Sequence, residues 1–145
     1  MLNRDFREFA EVLNARGAEH LVGGGYALAV HGHPRYTGDI DVWLRPEAGN
    51  IARVLDAFQA FGFRSPGLKA EDFGIDTVIQ LGQPPRRIDL LTSIDGVSFA
   101  DCYARGEVVR VDGVPLNVIG LADCKANKRA SGRHKDLADL ESLED

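Results

Sequence analysis

The order of apolar and polar positions divides the chain into helical and extended stretches. Leu2, Phe6, Phe9 and Leu13 recur at helical spacing around Asn3, a capping residue, so residues 3–16 read as an amphipathic helix that Gly17 ends. Leu21-Val22 is a short strand running into Gly23-Gly24-Gly25. Tyr26–His31 reads as a helix opening from those glycines, with a turn at Gly32–Pro34 after it. Arg35–Leu44 alternates as a strand does. Ile40, Val42 and Leu44 fall on one face, and Thr37, Asp39, Asp41 and Trp43 on the other. Pro46 and Glu47 form the first turn of a further helix, with Ile51, Val54, Leu55 and Phe58 as its stripe and Gly62 as its stop.

Residues 64–74 give no periodic signal. Thr77–Leu81 and Arg87–Thr92 read as a hairpin across the turn Gly82–Pro85, and Ser98–Tyr103 as a short helix. Asp112-Gly113 between the apolar runs Val108–Val111 and Pro115–Ile119 predicts a second hairpin. From Gly120 the period turns helical as far as Ser131-Gly132, and a last helix carries Leu137 and Leu140 towards the acidic end, Glu141–Asp145. Helices first, strands in the middle and helices last predict an α+β (mixed α/β) fold, with helices flanking a small, mostly antiparallel or mixed central sheet.

Composition narrows this picture. The 145 residues are most simply one domain, 1–145, long enough to bury a core. A net charge of −5 argues against a broad nucleic-acid surface, which neutralises phosphates with many Lys and Arg. A small nucleotide remains compatible, since a metal and a few cations meet its charge; tRNA would need a local patch. No apolar run reaches the roughly 18 residues of a membrane helix. The N-terminus has no apolar signal core, so a cytoplasmic protein without membrane association is expected. Cys102 and Cys124 have no metal or redox spacing and read as free thiols.

Four features bear chemistry. Asp39 and Asp41, two apart on a strand, point to one face, where like charges are unfavourable unless solvent or a cation lies between them. Mg²⁺, or Mn²⁺ in its place, takes such oxygen ligands; a water-facing strand edge is the plainer explanation. Asp89 in the apolar strand RIDLL adds a third carboxylate if its strand neighbours theirs, or is an acid paired with Arg86 or Arg87. Gly23–Gly25 before a helix either leaves N–H groups open to a phosphate or makes a tight turn. Lys125, Lys128 and Arg129 share one helix face, with Arg133, His134 and Lys135 beyond Gly132. This cluster either faces a triphosphate or is a solvated face balanced by Asp136 and Asp139. His20, His31 and His33 lack partners for a zinc site and read as turn or rim residues. Trp43 reads as a core or rim aromatic, or as a platform for a base.

Together, Gly24-Gly25, thirteen residues, Asp39-Ile40-Asp41-Val42 and the later lone Asp89 resemble the minimal nucleotidyltransferases of the DNA polymerase β superfamily. The stretches GGYALAVHGHPRYTGDIDVW and LADCKANKRASGRHKDLADLE look closest to stand-alone and abortive-infection-type members from bacteria and archaea. The resemblance covers roughly residues 18–141. It implies a nucleotidyltransferase-like fold and transfer of a nucleoside monophosphate from an NTP to an acceptor hydroxyl. Asp39, Asp41 and Asp89 would be the catalytic and metal-binding acids. Gly24 and Gly25 would approach the triphosphate, and Lys125, Lys128 or Arg133 would neutralise it. The acceptor would be tRNA, a protein or a small molecule, with a partner protein in a toxin–antitoxin setting. Gly25 departs from the Ser that many members use. A non-catalytic nucleotide- or partner-binding member of the same fold is the rival reading.

Overall fold

A computed structural model describes residues 2–33, 39–61, 67–83 and 86–144. Its elements run α1 (Arg4–Ala15), β1 (His20–Gly23), α2 (Gly24–Val30), β2 (Asp39–Leu44), α3 (Ala48–Phe61), a 3-10 turn at Ala70–Asp72, β3 (Val78–Leu81) and β4 (Arg87–Leu91). They continue through α4 (Phe99–Arg105), β5 (Glu107–Val111), β6 (Val114–Val118), α5 (Leu121–Ser131) and α6 (His134–Glu144). The expected strand segment Arg35–Gly38, Pro34 and Pro85 of the expected turns, and the stop at Gly62 lie outside the described residues.

Local chemistry accounts for the element ends. Asn3 accepts the Phe6 N–H at 2.8 Å and starts α1, which buries Phe6, Phe9, Ala10 and Leu13. Asp112 and Gly113 both take positive φ, as the tight β5–β6 hairpin requires. Gly132, at φ +64°, ends α5 in the left-handed conformation. α6 differs from its expected orientation. Leu140 is buried but Leu137 is exposed, because Asp136 turns inward to an ion pair with Lys128.

The six strands form one mixed sheet in the order β3-β4-β2-β1-β6-β5, with β4–β2 and β1–β6 parallel and the other pairs antiparallel. This is the expected mixed α/β architecture. Alternation along β2 buries Ile40, Val42 and Leu44 on one side. On the other side Trp43 meets Phe99 of α4 edge-on, ring centroids 5.2 Å apart. α1 and α3 pack together through Phe9 and Phe58, 5.4 Å apart. No described helix is long and apolar enough to cross a membrane.

Candidate metal and nucleotide site

The pairing of β2 with β4 decides the site. These strands run parallel with Asp39 opposite Arg87 and Asp41 opposite Asp89, so one face of two adjacent strands carries three acids and a guanidinium. Each of Asp39, Asp41 and Asp89 offers a carboxylate oxygen within 4.8 Å of the others. Sequence alone left the adjacency of the two strands open; register supplies it.

Arg87 sits among these acids. Its Nη2 donates to Asp39 Oδ2 at 3.3 Å and to Asp89 Oδ2 at 3.2 Å. Its Nε lies 3.0 Å from Asp89 Oδ1 as an ion pair, but off the line of a hydrogen bond, so Asp89 Oδ1 is buried without a donor among the described residues. Arg87 thus neutralises about one of the three charges. Burial, then the charges of Asp39 and Asp89, push Asp41 up to about 7. Asp89 is also raised, first by burial and then by sharing a hydrogen bond with Asp39. At Asp39 burial is outweighed by hydrogen bonds from Asp89 and Arg87, and its carboxyl lies below the usual range. Such a cluster holds protons it would release to a divalent cation. Three carboxylates, one with an oxygen lacking a donor, form an all-oxygen donor set that fits Mg²⁺ or Mn²⁺.

The glycines have a structural job of their own. α2 begins at Gly24 rather than Tyr26, so Gly24 and Gly25 belong to the helix, and Gly23 pairs with Asp41 across β1 and β2. Gly24 has φ +61°, and a β-carbon there would stand 2.4 Å from Asp41 Oδ2. The close approach that requires glycine is therefore to the acid itself. At the far end of α2, His31 Nε2 lies 2.7 Å from the Ile119 carbonyl and ties the helix to the end of β6. His20 is buried with Nδ1 2.9 Å from the Ala18 carbonyl, and burial lowers its pKa.

The C-terminal cations separate into two groups. Lys128, expected to neutralise a triphosphate, is only 7% exposed; its Nζ lies 3.4 Å from Asp136 Oδ1 and 2.9 Å from Asp139 Oδ2. Two carboxylates already balance its charge, so Lys128 joins α5 to α6. Lys125 does not border the cavity described next. Arg133 does border it, with a side chain 76% exposed although its Nε also bonds Asp136. The charge of Lys135 lowers the Asp41 pKa, which places this cation near the acids. Lys135 lay in the basic cluster of the sequence without being singled out.

Beside Asp41, Gly23 and Gly24 a cavity of about 290 Å³ opens between the sheet and α5. The α5 positions that border it are Cys124, Asn127, Lys128 and Ser131. Their spacing of three and four residues was a readable signal, but charge drew attention to the neighbouring Lys125–Arg129 stripe instead. Cys102 and Cys124 are free and buried, and burial raises their thiols to about 11 and about 12.

No protein-family model and no curated protein matches the chain. Among solved structures, JHP933 from Helicobacter pylori aligns over 97% of this chain and 63% of its own, at 16% identity and a TM-score of 0.49. A Thermotoga maritima protein, TM1012, described as a "putative nucleotidyltransferase", aligns over 97% of this chain and 89% of its own, at 16% identity and a TM-score of 0.63. That likeness extends along nearly the whole chain and establishes a nucleotidyltransferase-like fold.

Proposed function

We propose that the chain is a Mg²⁺-dependent nucleotidyltransferase moving a nucleoside monophosphate from an NTP to an acceptor hydroxyl, with release of pyrophosphate. The observation that carries this reading is the meeting of Asp39, Asp41 and Asp89 on two in-register parallel strands, with ligand oxygens within 4.8 Å. Asp39, Asp41 and Asp89 would hold the metal, which when bound supplies Lewis-acid stabilisation of phosphate charge. Gly24 lets Asp41 stand against the start of α2, and Gly24 and Gly25 would approach the triphosphate there. Arg133, which borders the cavity with Asp41, and Lys135, whose charge acts on Asp41, would meet the triphosphate. Asp89, beside the other two acids, would help activate or orient the attacking hydroxyl as the P–O bond to pyrophosphate breaks. Exposure to α-³²P-labelled NTP and candidate acceptors should yield labelled product in wild type. Asp39→Ala and Asp41→Ala should give none, and label persisting in both would reject the mechanism.

Arg87 favours a second reading. A guanidinium bridging Asp39 and Asp89 resembles a resident cation, as a non-catalytic nucleotide- or partner-binding module would keep. Mn²⁺ binding followed by electron spin resonance separates the two, since a module with Arg87 fixed in place binds no ion there. The abortive-infection branch of the sequence resemblance adds tRNA or protein as acceptor. Growth arrest on expression, abolished by Asp41→Ala, is its expected sign.

A further inference from the structure

Arg87 divides the three acids unequally. It lies two residues before Asp89 on β4 and opposite Asp39 on β2, so all three side chains share one face. Its Nη2 donates to Asp39 Oδ2 at 3.3 Å and to Asp89 Oδ2 at 3.2 Å, and its Nε lies 3.0 Å from Asp89 Oδ1. Among the described residues Arg87 pairs with these two acids and not with Asp41. The cation whose charge acts on Asp41 is Lys135. Asp41 is also the acid that borders the cavity and stands against Gly24. Asp39 links the two sides, sharing hydrogen bonds with Asp41 as well as with Asp89 and Arg87. The cluster thus has two places for positive charge with Asp39 in common. One lies between Asp39 and Asp41, and the other, between Asp39 and Asp89, holds a guanidinium.

Three neighbouring carboxylates can serve a pair of divalent ions, which in such sites stand about 3.5–4 Å apart and share ligands. Here a nitrogen of Arg87 already lies within hydrogen-bonding distance of both Asp39 and Asp89, on the oxygens a second ion would use. A guanidinium does not shed its charge by losing a proton, so only movement of the side chain would vacate the place. Two acids hold that side chain, and its Nε is buried. Arg87 and one divalent ion supply three positive charges against three carboxylates, so a single ion completes the balance. We propose that Arg87 stands in for the second ion of a two-ion site, and that the chain takes one divalent cation, held by Asp39 and Asp41. The inference rests on the nucleotidyl-transfer reading for the acids as metal ligands, and it narrows those ligands to two. Arg87 is then a positioning residue. It directs the ion to Asp41, beside the cavity that Arg133 also borders, and keeps Asp89 for the acceptor hydroxyl.

Mn²⁺ added to EDTA-stripped protein without nucleotide, followed by electron spin resonance, tests the count. Wild type should take up one Mn²⁺ with the spectrum of an isolated ion. Arg87→Met and Arg87→Gln, both neutral and checked for folding by circular dichroism, should take up two, with the exchange-coupled spectrum of a close pair. Asp41→Asn should weaken the wild-type ion by about tenfold or more. Two ions in wild type overturn the assignment, and that measurement needs no variant to fold. Folded neutral variants that take up only one ion also overturn it, as does Asp41→Asn of unchanged affinity. One ion in a wild type that transfers no nucleotide label upholds the assignment and rejects nucleotidyl transfer. Two ions in a wild type that transfers label do the reverse. A wild type that binds no ion rejects both.

Discussion

Removing the charge of Asp41 should stabilise the metal-free protein above pH 7. Asp41 is part-buried beside two more acids, and its carboxyl is raised from 3.8 to about 7. A raised folded-state pKa means that the folded protein binds the proton more tightly than the unfolded chain. Its contribution to stability is therefore full below about pH 4, falls as pH rises, and is gone above about pH 7. Three pH units at 1.36 kcal/mol each set a ceiling of about 4 kcal/mol, which the partial exposure of Asp41 and the protons shared among three acids reduce. His20, lowered by burial, works in the opposite sense over part of this window, so the comparison must be differential. Urea unfolding of wild type and Asp41→Asn in EDTA from pH 4 to 8 supplies it. The stabilities should converge near pH 4, with the variant ahead by up to about 4 kcal/mol at pH 8. Adding Mg²⁺ at pH 8 should stabilise wild type and leave Asp41→Asn much less changed. Parallel curves, or a variant less stable at pH 8, would refute the electrostatic argument.

Other expectations follow from single contacts. Gly24→Ala forces a β-carbon against Asp41 Oδ2 at a positive φ; it should cost about 1–3 kcal/mol in thermal unfolding and weaken Mn²⁺ binding as Asp41 moves. Lys128→Met leaves Asp136 and Asp139 without their shared cation and should cost about 3–5 kcal/mol, whereas Lys125→Met should stay within about 0.5 kcal/mol by the same melts. Arg87→Met removes the guanidinium from the acids, so the Mg²⁺-induced rise in Tm should exceed that of wild type. Cys102 and Cys124, with raised thiols, should react with a disulfide reagent at pH 7.5 only after unfolding, as absorbance release would show.

Features set by local rules were legible in the sequence. The alternation that puts Asp39, Asp41 and Trp43 on one face of β2, the Asn3 cap and the Asp112-Gly113 hairpin all depend on a few neighbouring residues. The adjacency of Asp89 was not legible, because it depends on β4 pairing with β2, some fifty residues away along the chain. The packing role of Gly24 was not legible, because a turn-forming glycine and one required by a close neighbour are the same residue type. The reason for glycine at this position is an atom of Asp41, invisible to local pattern. The charge pattern on α5 showed that cations gathered there but not which of them the fold would bury. In α6 an apolar residue was expected inward, and the ion pair of Asp136 with Lys128 took precedence over Leu137.

That ion pair gives one member of the basic cluster a structural contact. Lys128 binds Asp136 and Asp139, so the last turns of α5 fix the first turn of α6. The first turn of α6 carries Lys135, whose charge reaches Asp41, and Arg133 just before it borders the cavity. The buried lysine therefore acts by holding the helix that presents exposed cations. An unpaired lysine would be a stronger electrostatic partner for phosphate, but nothing would then hold α6 against α5 at this point. Dividing the work between a buried, balanced Lys128 and the cations at the start of α6 fixes the geometry and keeps positive charge at the mouth of the site.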